Sequence, residues 1–128
     1  MKIVIKAPNS SFTTTKRYLE RIKEMVGRGA FNKYGEWGVM ALSAFTPEDT
    51  GETAKSWVYG IEHGFGWTKV YWDNVNKDVS GTSIAVLIQY GHATKSGAYV
   101  EGKDFINPAM HATFDAIADD MLKEVSRV

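Results

Sequence analysis

Thr46-Pro47-Glu48-Asp49-Thr50-Gly51, followed by Lys55-Ser56-Trp57, divides the chain into two regimes. Upstream of it, apolar residues recur at helical spacing; downstream, β-branched and aromatic residues fill short runs bounded by glycine. Proline disfavours a helical residue before it and donates no backbone hydrogen bond. Asp49 and Thr50 can bond their own backbone, and Gly51 supplies a positive φ without steric cost. The segment therefore ends a helix and turns the chain into extended structure.

Working back from the turn, Phe31, Tyr34, Trp37, Ala41, Leu42 and Phe45 form one helical stripe. Gly35 and Gly38 weaken that helix by propensity alone. Gly27-Arg28-Gly29 interrupts the pattern, and before it Leu19, Ile22 and Val26 form another stripe, flanked by Tyr18 and Met25. The spacing fits one kinked helix or two separate ones. Residues 10–15 are small and hydroxyl-rich, which suits a helix N-cap. Lys2-Ile3-Val4-Ile5-Lys6, closed by Pro8-Asn9, predicts an edge strand.

Working forward, residues 56–62 and 67–72 read as the strands of a hairpin turning at His63-Gly64-Phe65-Gly66. Residues 73–83 are polar and turn-rich, a loop. Residues 84–90 are the most apolar run and predict a central strand. Residues 91–104 hold three glycines and no hydrophobic period, which predicts a long loop. Pro108 sits well in the first turn of a last helix. There Met110, Phe114, Ile117, Met121 and Val125 share one face, with Asp115, Asp119, Lys123 and Arg127 on the others. The expected fold is α+β, an antiparallel sheet with an N-terminal helical segment pair and a C-terminal helix packed on it. A single domain over residues 1–128 suits this length.

Fifteen basic and fifteen acidic side chains cancel, which argues against a general nucleic-acid binder. Lys16, Arg17, Arg21, Lys23 and Arg28 are interleaved with Glu20 and Glu24, the pattern of a solvated helix face. The absence of cysteine excludes disulfides, thiolate chemistry and cysteine-based metal sites. Residues 1–7 are too short and too charged for a signal peptide, and no run approaches a membrane span. The expectation is a soluble protein made in the cytoplasm, without a membrane partner.

His63, His92 and His111 fall in three different predicted elements, with no spacing that preforms a metal site. Ser56 and Ser96 lack a nucleophile-elbow setting, and Glu48 with Asp49 are turn neighbours rather than facing carboxylates. Gly64-Phe65-Gly66 lacks the lysine and hydroxyl of a phosphate cradle. No catalytic, cofactor-binding or metal residue is therefore expected, and no cofactor. The aromatic crowding of Trp57, Tyr59, Trp67, Tyr71 and Trp72 is the stronger signal. Trp57 and Tyr59 share one strand face, as do Trp67 and Tyr71 on the partner strand. Cross-strand stacking explains such crowding, and so does a subunit interface.

Two more landmarks follow the Pro47 turn in order: Ile88-Gln89-Tyr90-Gly91-His92 and Phe105-Ile106-Asn107-Pro108-Ala109. With Pro47, Asp49, Thr50 and Gly51, this ordered set resembles the minor tail-component family of long-tailed bacteriophages, which includes tail-completion and head–tail connector proteins. The resemblance covers residues 44–128. The chain departs from it at Glu52-Thr53-Ala54, where the family usually carries a basic residue and a leucine. The resemblance implies a non-enzymatic virion protein, made in the host bacterial cytoplasm, that forms a ring with itself, hexamers among the options. Its other partners would be head–tail connector or tail-tube proteins, with DNA passing through the ring without sequence-specific binding. The aromatic hairpin is then expected to supply one subunit interface. The segment carrying Tyr90, Gly91, His92, Gly97, Tyr99 and Phe105 is expected to be a docking loop. The alternative is a small ligand-binding or regulatory α+β domain with the aromatic hairpin as a pocket wall.

Overall fold

The computed structural model of the chain describes residues 2–8, 16–47 and 51–126. Their order is β1 (Ile3–Pro8), α1 (Lys16–Gly27), α2 (Ala30–Phe45), α3 (Gly51–Ala54), β2 (Trp57–Gly64) and β3 (Trp67–Asn74). There follow α4 (Ile84–Tyr90), β4 (Gly91–Ala93), β5 (Tyr99–Glu101) and α5 (Ile106–Ser126). The fold is α+β with antiparallel sheets and a C-terminal helix, as expected. The larger sheet runs β1-β3-β2, and the smaller is the β4–β5 hairpin. The N-cap cluster at 10–15, the turn residues Asp49 and Thr50, and Arg127 lie outside the described residues. Gly51 corrects the sequence reading: it has no positive φ and opens the one-turn helix α3, so a helical turn stands between Pro47 and β2.

Strict alternation along β3 fixes the two faces of the sheet. Thr68, Val70, Trp72 and Asn74 are buried, while Trp67, Lys69, Tyr71 and Asp73 point the other way. The register sets Tyr59, Trp72 and Ile3 side by side on the inner face. Helix α2 crosses this inner face at close range. A Cβ at Gly35 would overlap the Tyr59 ring, and one at Gly38 would overlap the Trp72 indole. The Trp72 Nε1–H donates to the Gly35 carbonyl at 2.8 Å. The two glycines that weaken α2 by propensity are the contact that seats it.

The helical region is two helices, not one. Gly29 has φ +80°, a conformation that side chains rarely adopt, and it separates α1 from α2. Among the described side chains of α1, Met25 is deeply buried; those of Tyr18, Leu19 and Ile22 lie outside the description. Helix α5 packs chiefly against α2 and then α1, so it reaches the sheet through α2. Its inward face is Ile106, Ala109, Met110, Thr113 and Ile117. Phe114, expected on that face, is exposed at the rim because the stripe slips by one residue over the long helix.

Residues 84–90 correct the sequence reading: they form helix α4, and the central strand is β3. A seven-residue apolar run fits a short helix as well as a strand, and periodicity alone does not choose. Burial here recurs at Ala85 and Gln89, four apart, the helical interval. Residues 91–104 are also more ordered than a loop, since they carry β4 and β5. Within 73–83 the first two residues complete β3. The rest is a turn held by Asp78, whose Oδ1 accepts from the Ser80 and Thr82 amides at 2.9 Å each.

One polar cluster ties α2 to α5. Tyr34 donates to Asp120 at 2.7 Å, and Lys33 Nζ lies 2.8 Å from the same carboxylate. The lysine contact, with help from Tyr34, holds the Asp120 carboxyl below its ordinary 3.8. Burial and the facing carboxylate push the Tyr34 hydroxyl well above its ordinary value. A depressed folded-state pKa adds stability above the unfolded value, and this is lost as pH falls through the folded one. Asp120→Asn should therefore cost about 1 kcal/mol at pH 7, given the half-exposed lysine. The loss should shrink as pH falls through the depressed folded-state value of Asp120. Urea unfolding of both proteins from pH 7 down into the acid range measures it; a loss that stays constant until the carboxyl is fully protonated would refute the electrostatic origin.

Candidate functional site

Thr46 ends α2 by turning its hydroxyl back to the Leu42 carbonyl at 2.6 Å. The same oxygen accepts from Trp57 Nε1 at 2.9 Å, so the helix end and the start of β2 are joined at one buried atom. Trp57, Tyr59 and Trp72 then face the core. Trp57 and Trp72 are 4% and 0% exposed, which removes them as surface contacts in the folded subunit. The interface expected of five aromatics thus narrows to Trp67 and Tyr71 on the outer face and to Tyr59, half-buried beside α2.

Those two rings lie across glycines on the neighbouring strand. Register pairs Gly60 with Tyr71 and Gly64 with Trp67, and a Cβ at either glycine would overlap the facing ring. Lys2 sits 4.7 Å over the Tyr71 ring, and Lys69 lies 5.5 Å from the Trp67 ring and 2.9 Å from Glu62. Val4 and Val58 flank the rings and are exposed. Among the described elements, only α2 packs closely on this sheet, and it does so on the inner face. The outer face is a preshaped platform of two aromatics, two valines and paired charges. The matching four-residue spacings Gly60/Gly64 and Trp67/Tyr71 were visible in the sequence, but only the register shows that they meet.

The second surface grows from the two later landmarks. Gln89 is buried and its Oε1 accepts from the Phe105 and Ile106 amides at 3.1 and 3.0 Å. Its Nε2 donates to Asp104 at 2.8 Å. Asp104 also accepts from the Asn107 side chain at 3.0 Å. The Gln89 hydrogen bond, seconded by Asn107, holds the Asp104 carboxyl below its ordinary range. One glutamine therefore closes the amino end of α5 and fastens it to the end of α4. Phe105 is buried against Trp57, rings 6.4 Å apart and edge-on, so it belongs to the core rather than to a docking loop.

From this closed base the β4–β5 hairpin projects. Gly91 at φ +80° and Gly102 let the strands pass where a Cβ on either would strike backbone. Thr94 and Gly97 close the tip. Every residue of β5 is exposed. Tyr90 and Tyr99 are about two-thirds exposed, and the Tyr99 hydroxyl donates to the Tyr90 carbonyl at 3.2 Å. His92 lies on the inner side of the hairpin, and its Nδ1 is buried without a partner among the described residues. Of the docking-loop residues, Tyr90, Gly91, Gly97 and Tyr99 are thus brought onto one protruding arm.

A third feature is an open groove between α2 and β2, about 540 Å³, lined by Glu36, Val39, Met40, Trp57, Val58 and Tyr59. Met40 is 70% exposed along it. Sequence reasoning missed this groove, since α2 periodicity marks Met40 only as off the core stripe. Among the described residues no three His, Asp or Glu side chains converge as a metal-ligand set. His63 and His111 pair with Thr68 and Asp115, and neither meets His92. No helix among the described residues is long and apolar enough to cross a membrane. Comparison with protein-family models, curated proteins and solved structures returns no match.

Proposed function

We propose that the chain is a structural subunit of a tailed phage or prophage particle, completing the tail or joining it to the head by forming a ring. The observation that carries this reading is the outer face of the β1-β3-β2 sheet, on which no other described element packs closely and where Trp67 and Tyr71 lie over glycines. Tyrosine and tryptophan concentrate at interface cores, and a face preshaped before contact loses little side-chain freedom on docking. The ordered landmarks around Pro47, Gln89 and Pro108 point the same way. In this role DNA passes through the ring without base-specific contacts, and connector or tail-tube proteins stack on it.

A closed ring needs a heterologous interface, one patch on each subunit meeting a different patch on its neighbour. The chain offers an aromatic sheet face, a projecting hairpin and an apolar groove. The ligand-binding reading asks instead for a concave apolar site with several convergent polar groups. The α2–β2 groove is open and carries one carboxylate, which favours assembly over ligand capture.

Light scattering after size exclusion, across a concentration series, tests the proposal. A discrete ring-sized species is the expected result. Tyr71→Ser should lower the larger species about tenfold or more if this face contributes an interface hot spot. Monomer at every concentration would favour the ligand-binding domain.

A further inference from the structure

We infer that the β4–β5 hairpin of one subunit docks into the α2–β2 groove of a second copy, with Tyr99 as its apolar anchor and Lys95 paired to Glu36. The inference rests on the ring reading above and names the two patches that its heterologous contact would use.

Three observations converge on this occupant. The hairpin is two strands with no third strand beside it among the described residues, and its β5 side chains are all exposed. Isolated two-stranded hairpins are marginal in water, so this arm gains order from whatever covers it. The groove runs beside β2, an edge strand with no neighbour on its outer side among the described residues. Over residues 57–61 that strand carries neither proline nor charge, the devices that usually protect an edge. Val58 and Met40 stand exposed along the groove.

Charge selects the pairing. Glu36 is the only ionisable residue lining the groove apart from Tyr59, and no partner for it appears among the described residues. Lys95 is the only charged residue at the hairpin's tip, and it too lacks a partner among the described residues; the other charge of the arm, Glu101, sits at its base opposite Gly91. A basic tip thus meets an acidic groove, and one subunit bears both. The hairpin touches α4 at its base, whereas the groove lies on α2 and β2, so each copy can donate to one neighbour and accept from another.

The test is a charge-reversal cycle on the full chain, read as the concentration of half-assembly by light scattering, with circular dichroism confirming the fold. Lys95→Glu and Glu36→Lys should each raise that concentration about tenfold. The double variant should restore it to within about threefold of the starting protein, because the pair is reformed with signs exchanged. Tyr99→Ser should raise it at least tenfold in either background. An assembling protein in which the reversals have no effect, or in which their effects add, overturns the hairpin–groove contact and leaves the ring reading standing. A protein that never assembles overturns both.

Discussion

Gly38→Ala should destabilise the fold by about 2 kcal/mol, against the direction that helix propensity sets. In an exposed helix the same change stabilises by up to about 1 kcal/mol. Here the new Cβ would overlap the Trp72 indole, a ring with no exposed surface. That ring cannot simply retreat, because its Nε1–H is bonded to the Gly35 carbonyl on the same helix. Either α2 lifts from the sheet or the indole leaves its bond; overpacking of this kind costs about 1–3 kcal/mol. The melting temperature should fall by roughly 8 °C for a domain of this size. Gly27→Ala is the control, since nothing lies within 4 Å of its added Cβ. If Gly38→Ala melts higher than the parent, the close seating of α2 on Trp72 is wrong.

Gln89→Leu should cost about 3 kcal/mol although it replaces a buried polar side chain by an apolar one of similar size. The leucine leaves the Phe105 and Ile106 amides without their acceptor, and a stranded buried donor costs about 1–3 kcal/mol. The effect should be local as well as global. Hydrogen exchange at the start of α5 and across β4–β5 should accelerate more than exchange in β3, because the glutamine closes the hairpin's base. Gln89→Glu separates two roles of the residue. It keeps an acceptor for the amides but loses the donor to Asp104 and sets two carboxylates together. Its destabilisation should be smaller at pH 4 than at pH 7, since protonation restores a donor and removes the repulsion. Equal loss at both pH values would mean that the Asp104 contact carries no weight.

Some of the candidate site was legible in the residues and some was not. The β2–β3 hairpin and its aromatic load could be read directly, because β propensity, alternation and glycine turns all agree there. Which aromatics face water could not, since β3 carries rings on both faces and the choice belongs to α2. The pairing of Gln89 with Phe105 joins residues sixteen apart through a side chain, and no local pattern encodes that. The groove at Glu36 and Met40 exists only between a helix and a strand edge, so it has no signature in either element alone.

By itself the sequence determined the α+β class, an interruption of the helical pattern at Gly27-Arg28-Gly29, the helix end at Thr46 and the β2–β3 hairpin. Each follows from short-range physics: glycine's positive φ, proline's missing donor, the two periods of side-chain direction. Tertiary structure alone decided that residues 84–90 coil into a helix and that β3 is the central strand. A short apolar run has no intrinsic preference strong enough to choose, and the choice fell to the contact that buries Ala85 and brings Gln89 to α5. Tertiary structure also turned Gly35 and Gly38 from weak points of a helix into its seat on Trp72. Propensity measures a helix in water; against an indole ring, the absent side chain is what permits contact.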